Sequence, residues 1–187
     1  LLSPGRLKIA AALVLTSPFV PLLFQGEEWG ASTPFQYFSE HPEPELGRAV
    51  SEGRRKEFAA YGWKPEEIPD PQALETFLRS KLNWEEQSRQ PHAGLLDWHR
   101  RLIELRRGEP ALMDGRLESV QTRLDESGGW LAVERGPITV VCVVSERPQR
   151  VPVRGGEQML LMGSDEAIRV EGGGVVMPRD SVAVLRA

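Results

Sequence analysis

Pro21-Leu22-Leu23-Phe24-Gln25-Gly26-Glu27-Glu28-Trp29-Gly30 is the stretch on which the fold turns. Its apolar residues run without polar alternation and stop at a glycine and two acids, the pattern of a short strand covered on both faces. Pro21 has no amide hydrogen for a ladder, which places the paired part at Leu22 to Gln25. Upstream, Ser3 reads as an N-cap and Pro4 as the first helical residue. Leu7, Ala10, Ala11 and Val14 recur at helical spacing and predict the buried face of a helix that Thr16-Ser17-Pro18 stops. A helix feeding directly into such a strand is half of a parallel α/β repeat.

Downstream, residues 31–92 are rich in proline, charge and aromatic rings, with little sustained periodicity. A helix is predicted over Glu45 to Tyr61. Asp70-Pro71 reads as an N-cap followed by proline, leading into a helix that buries Leu74, Phe77, Leu78 and Leu82. Insertions this long between regular elements are usually functional. A stronger helix is predicted from Ala93 to Arg107, with Leu95, Trp98, Leu102 and Leu105 as its apolar stripe and Gly108 and Pro110 as its end.

After Leu112 the texture is all-β. Strands are predicted at 117–124, 130–135, 138–145, 150–153, 158–162, 167–170, 175–177 and 182–185, punctuated by Gly-rich turns at the spacing of an antiparallel sandwich. The boundary is placed near residues 108–115, giving a first domain over 1–110 and a second over 111–187.

The formal net charge is −4 and the two signs are interspersed, so no basic face exists for a phosphate backbone and nucleic acid is not expected as a partner. The apolar run from Leu7 to Phe24 is interrupted by Pro18 and Pro21, and no membrane span is expected. A single cysteine, Cys142, sits in a strand-like run, reads as an inert core thiol and fits a reducing compartment. The chain begins Leu1-Leu2-Ser3 with neither methionine nor a basic leader, and is expected to start inside a longer polypeptide. No spaced ligand set predicts a metal, and no cofactor is expected. The glycines at 172–174 precede no helix and read as a turn.

The quoted stretch resembles the end of the last barrel strand in the α-amylase superfamily (glycoside hydrolase family 13). That superfamily's pattern also has an arginine near the start of the preceding helix, here Gly5-Arg6-Leu7, and a closing helix like Leu95 to Arg107. The runs Ala31-Ser32-Thr33-Pro34-Phe35-Gln36-Tyr37-Phe38-Ser39-Glu40-His41, Glu45-Leu46-Gly47-Arg48, Gly53-Arg54-Arg55-Lys56-Glu57-Phe58 and Ser80-Lys81-Leu82-Asn83-Trp84 narrow the likeness to the malto-oligosyltrehalose trehalohydrolase family. The resemblance implies the last strand and flanking helices of a (β/α)8 TIM barrel, a barrel remnant, followed by an all-β antiparallel sandwich at the carboxyl terminus. It implies a retaining hydrolase, cytoplasmic, that cuts the α-1,4 bond beside a terminal trehalose, working with a malto-oligosyltrehalose synthase. Its acids would lie on strands before Leu22, in the upstream part of the same barrel, so no catalytic residue maps onto this chain and the chain alone is expected to be inactive. A branching or debranching α-glucanase and a non-catalytic glucan-binding fragment remain open.

The residues that could contact substrate are Glu27, Glu28, Trp29, Phe35, Tyr37, Phe38 and His41. Active sites of barrels gather at the carboxyl ends of strands, where Glu27-Glu28 would fall. Adjacent acids do not easily face one bond, so either one pairs with a barrel arginine while the other supports the loop, or they bind substrate. Trp29, Phe35, Tyr37 and Phe38 offer flat apolar faces to pyranose C–H groups or anchor a large loop. His41 reads as a sugar hydroxyl donor or a solvated loop residue, and His92 and His99 as structural. Arg48, Arg54, Arg55 and Lys56 read as a solvated, salt-bridged helix face.

Overall fold

The computed structural model describes residues 2–187. They form two units, one running to Gly30 and resuming from Gln87 to Ala187, the other Ala31–Glu86.

The first unit begins with α1 (Pro4–Thr16), capped by the Ser3 side chain, which accepts from the Arg6 amide at 3.3 Å. Its buried face is Ile9, Ala11, Ala12, Leu15 and Thr16, while Ala10 and Val14 face solvent. The expected face of Leu7, Ala10, Ala11 and Val14 is therefore rotated. The helix is apolar nearly all round, so its own pattern does not choose a side; the neighbours do. Those neighbours are α4 (His92–Gly108), which buries Leu95, Trp98, His99 and Leu102, and a β-sheet. Trp98 Nε1 donates to the Lys8 carbonyl at 3.0 Å, satisfying a buried ring donor. A short α5 (Pro110–Met113) follows α4, with proline at its first position.

Eight strands complete this unit: β1 (Val120–Asp125), β2 (Trp130–Arg135), β3 (Ile138–Val143), β4 (Gln149–Pro152), β5 (Met159–Gly163), β6 (Arg169–Glu171), β7 (Gly174–Met177) and β8 (Ser181–Arg186). One antiparallel sheet has the order β1-β2-β3-β8-β5 and a second the order β4-β7-β6. Every residue of β3 is buried, because the pleat sends Ile138, Val140 and Cys142 to α1 and α4 and sends Val141 and Val143 to the other face. There they share a core with Val151 of β4 and Val175 and Met177 of β7, so inward residues of both sheets meet. The opposed pairs Val140↔Val184 and Val141↔Ala183 keep the two faces in register across β3 and β8. Gly136, at φ 58°, makes the β2–β3 turn, and Gly172 and Gly173, at φ 51° and 77°, lead from β6 into β7, as conformations that side chains resist. The expected strand at 117–124 opens instead with a 3-10 turn, Leu117–Ser119.

Two arginines gather the carbonyls at the end of α1. Arg106 Nη1 donates to Leu15 O at 2.8 Å and Ser17 O at 2.7 Å, and its Nη2 to Phe19 O at 3.0 Å. Arg135, only 1% exposed, donates to Thr16 O at 2.7 Å, to Leu112 O at 3.4 Å and to Asp114 O. A cation there complements the orphan carbonyls and negative end of the helix.

Residues 20–24 form no strand, contrary to the expected pairing of Leu22 to Gln25. Phe19, Val20, Leu22 and Phe24 are 62%, 92%, 85% and 50% exposed. A strand exists only where a neighbour completes its ladder, and no strand of either sheet pairs with this segment.

In the second unit, α2 (Pro44–Ala59) occupies the predicted place and α3 (Leu74–Ser80) is shorter than expected. The N-cap of α3 is Ala73, not Asp70. Asp70 instead accepts from Ser51 Oγ at 2.6 Å, the Gln72 amide at 3.0 Å and Arg55 Nη2 at 3.1 Å, while its carbonyl accepts from Thr76 Oγ1 at 2.7 Å. The apolar stripe expected of α3 is also reversed: Thr76 and Ser80 are buried and Leu74, Phe77 and Leu78 exposed. Ser80 Oγ accepts from the Gln36 amide at 3.0 Å, so a buried hydroxyl, together with the Phe77 ring against Phe38, ties α3 to residues 31–41.

Candidate functional site

The seven candidate residues fall in both units. In the first, Glu27–Trp29 is a 3-10 turn between two left-handed glycines, Gly26 at φ 82° and Gly30 at φ 64°. Gly30 is needed because a β-carbon there would lie 3.1 Å from Leu95 Cδ2 in a conformation that side chains resist. Glu27 is exposed and Glu28 half-buried, and among the described residues neither has an ion-pair partner. Trp29 is 2% exposed, and His92 Nδ1 lies 2.9 Å from its carbonyl oxygen. Of the two readings of this ring, a face for sugar or a loop anchor, its burial suits the anchor. His99 Nδ1 lies 2.9 Å from Leu95 O, as a structural histidine would.

The second unit carries the open rings. Phe35, Tyr37 and Phe38 are 54%, 46% and 37% exposed. Phe38 packs edge-on to Phe77 at 5.1 Å and stands 6.1 Å from Phe35. Phe35 and Tyr37 line a cleft of about 310 Å³ with Gln36, Arg54, Phe58, Trp63 and Glu67. His41 belongs elsewhere: with Arg55, Asp70 and Gln72 it lines a wider depression, and its amide donates to Gln72 Oε1 at 3.2 Å. The Ser51 hydroxyl bond, aided by the Gln72 amide and Arg55, holds Asp70 below the usual carboxylate range against a smaller opposing effect of burial.

Arg54, Phe58, Trp63 and Glu67 line the cleft although the sequence did not propose them as substrate contacts. Arg54 sits 5.3 Å from the Tyr37 ring centroid and 4.3 Å from that of Phe58, and its Nη1 also pairs with Glu57 Oε2 at 3.5 Å, so the expected salt-bridged guanidinium is stacked as well. The available signal was the i, i+4 placement of Arg54 and Phe58 on one helix face, with Trp63 shortly after it. Arg55, on another face of α2, pairs with Asp70.

Among the described residues no three His, Cys, Asp or Glu side chains converge as a metal site would require, and no helix is long and apolar enough to cross a membrane. Cys142 is buried, and desolvation pushes its thiol up to about 12.

No protein-family model matches the chain. The chain is 47% identical over 182 residues to a malto-oligosyltrehalose trehalohydrolase of Rhizobium sp. (strain M-11), covering 97% of this chain and 30% of that protein. It is 46% identical over 186 residues to the protein of that name from Brevibacterium helvolum, covering 100% and 31%. A crystal structure of a Salmonella typhimurium protein assigned as an α-amylase superposes with a TM-score of 0.78 at 34% identity, covering 98% of this chain and 31% of that one. The chain thus spans about 30% of the length of the curated relatives it matches.

Proposed function

The chain belongs to the malto-oligosyltrehalose trehalohydrolase family, and from that premise we propose that it is the carboxyl-terminal part of a retaining glycoside hydrolase that releases trehalose from malto-oligosyltrehalose. The observation that carries the proposal is the 46–47% identity to relatives of that name across 97–100% of the chain. We read residues 1–110 as the closing end of a barrel with its long loop, and 111–187 as a terminal β-sandwich.

Retaining cleavage needs two carboxyl groups about 5 Å apart, one attacking the anomeric carbon and the other protonating the leaving oxygen and then activating water. No carboxylate of this chain is given either role. Glu27 and Glu28 are neighbours on one short turn, a placement from which both cannot flank one glycosidic bond. We assign sugar contact to Glu27, Glu28, Phe35, Tyr37, Phe38 and His41, with Trp29 holding the turn that carries the two acids. The exposed run Phe19 to Phe24 supports the reading, because apolar residues in this number beside a packed unit suit a surface that further strands cover. The same reading supplies a glucan substrate, a malto-oligosyltrehalose-forming enzyme upstream in the reaction order, and a cytoplasmic setting.

The test is release of free trehalose from a malto-oligosyltrehalose. The longer polypeptide carrying this sequence is expected to release it and residues 1–187 alone to release none. Absence of trehalose from the longer protein, or release by this chain alone, would overturn the assignment.

A further inference from the structure

The geometry points to a self-contained saccharide site in the second unit: we propose that the cleft between Tyr37, Arg54, Phe58, Trp63 and Glu67 binds one or two glucose units of an α-1,4-glucan. The choice of an α-glucan rests on the function proposed above; the site itself rests on the cleft.

Its volume of about 310 Å³ falls at the small end of ligand pockets, which run from about 300 to 1,000 Å³. That is room for a short saccharide rather than a cofactor. Tyr37 and Trp63 leave 46% and 50% of their surfaces open, although Ile68, 7% exposed, lies beside them as an available core. Rings left open beside a core are a surface with a use.

The polar lining has both signs of hydrogen bonding. Arg54 presents donors whose position is fixed by stacking on Tyr37 and Phe58 and by the Nη1 contact to Glu57 Oε2 at 3.5 Å, with further N–H groups left for a ligand. Glu67 supplies acceptors, its Oε2 accepting from the Lys64 amide at 3.1 Å and its Oε1 having no hydrogen bond among the described residues. Gln36 Oε1 is buried with no donor among the described residues, which leaves an acceptor that a hydroxyl at the cleft floor would satisfy. Donors, acceptors and apolar faces together match a pyranose, whose hydroxyls do both and whose C–H faces stack. A phosphate would meet the Glu67 carboxylate, and a purely apolar ligand would bury Arg54 and Gln36 without replacing their water.

Ring orientation separates the two kinds of glucan. Phe58 and Trp63, both lining the cleft, stand at 73° to one another with centroids 5.4 Å apart. Rings so inclined cannot form the flat platform along which an extended β-1,4 chain lies; they suit the curved path of an α-1,4 chain.

The experiment titrates the isotope-labelled 187-residue chain with maltotriose and with cellotriose, following the Trp63 indole N–H, identified by its loss in Trp63→Phe. Maltotriose is expected to shift that signal saturably, with a dissociation constant on the order of a millimolar, and cellotriose to leave it in place. Arg54→Met should weaken binding at least tenfold with the rest of the spectrum unchanged. Should Arg54→Met disturb the fold of residues 31–86, Gln36→Leu, which keeps the side-chain shape and removes the orphan acceptor, carries the same expectation. No movement of Trp63, equal response to cellotriose, or undiminished binding by the folded variant would each overturn the proposal. Trehalose release by the longer protein is read separately. Release without maltotriose binding sinks the cleft alone, and binding without release sinks the function alone.

Discussion

Replacing Arg135 with methionine should loosen the joint where α1, α5 and β2 meet. The guanidinium is 1% exposed and donates to the carbonyls of Thr16, Leu112 and Asp114; methionine fills the space of the stem and offers no donor. Each lost bond is worth about 1 kcal/mol net, and more where a carbonyl stays dry, giving a gross loss of about 3–4 kcal/mol. Against this stands relief. Burial first, and the nearby Arg106 second, disfavour the charge on Arg135, holding its pKa below the usual arginine value. Relieving that desolvation recovers roughly 1–2 kcal/mol, so the net cost should be about 2 kcal/mol, or a fall in melting temperature of about 4–8 °C for a chain of this size. Calorimetry on the wild type and the variant measures it. An unchanged or raised melting temperature would show that the three carbonyls are satisfied without Arg135 and that it does not hold the end of α1.

Leu102, fully buried between α1 and the larger sheet, should cost about 3–5 kcal/mol as Leu102→Ala; urea unfolding giving under 1 kcal/mol would contradict the shared helix–sheet core. Cys142 should not react with a disulfide reagent at pH 8 in the native protein and should react at once in denaturant, because burial pushes its thiol up to about 12. Asp70 is lowered mainly by the Ser51 hydroxyl, and a carboxylate with a folded pKa below its unfolded value near 3.9 stabilises above that value and loses the contribution as pH falls through the folded pKa. Proteolysis within residues 31–86 should therefore accelerate below about pH 4 in the wild type and depend much less on acid in Asp70→Asn. The same acid dependence in both would remove Asp70 from its place as the hub of that unit.

What the sequence disclosed was what short-range chemistry decides. Ser3-Pro4 caps α1 where a cap and a preset φ were expected. Strands β2 and β3 begin where expected because their apolar runs are bounded by Gly128-Gly129 and Gly136, residues whose positive φ or close packing permits the turns. What it hid was settled by distant partners. The side that α1 buries depends on α4 and β8, since its own residues are apolar around most of its girth. Asp70 has equal chemistry for an N-cap and for a loop turn, and Ser51 of α2 decides for the turn. Arg54 and Arg55 are neighbours in a basic run and each pairs with an acid, yet only Arg54 also stacks on rings while Arg55 reaches Asp70, a division visible only once α2 meets Tyr37 and Asp70. The candidate sugar contacts were legible as residue types, while the cleft that holds Tyr37 needed Trp63 and Glu67 from beyond α2. Leu22 to Gln25 read as a strand from composition, but a ladder is a property of two segments, and among the described residues none pairs with it.

That segment gives the most direct test of the proposal that the chain closes a barrel whose other strands, and whose catalytic acids, lie outside residues 1–187. Amide hydrogen exchange at Val20, Leu22 and Leu23 should be compared in the isolated chain and in the longer polypeptide. The account expects rapid exchange in the isolated chain and strong protection in the longer one, where neighbouring strands supply the missing carbonyls. Equal, rapid exchange in both would contradict it, because the peptide leading to Glu27 and Glu28 would then line no ring of strands.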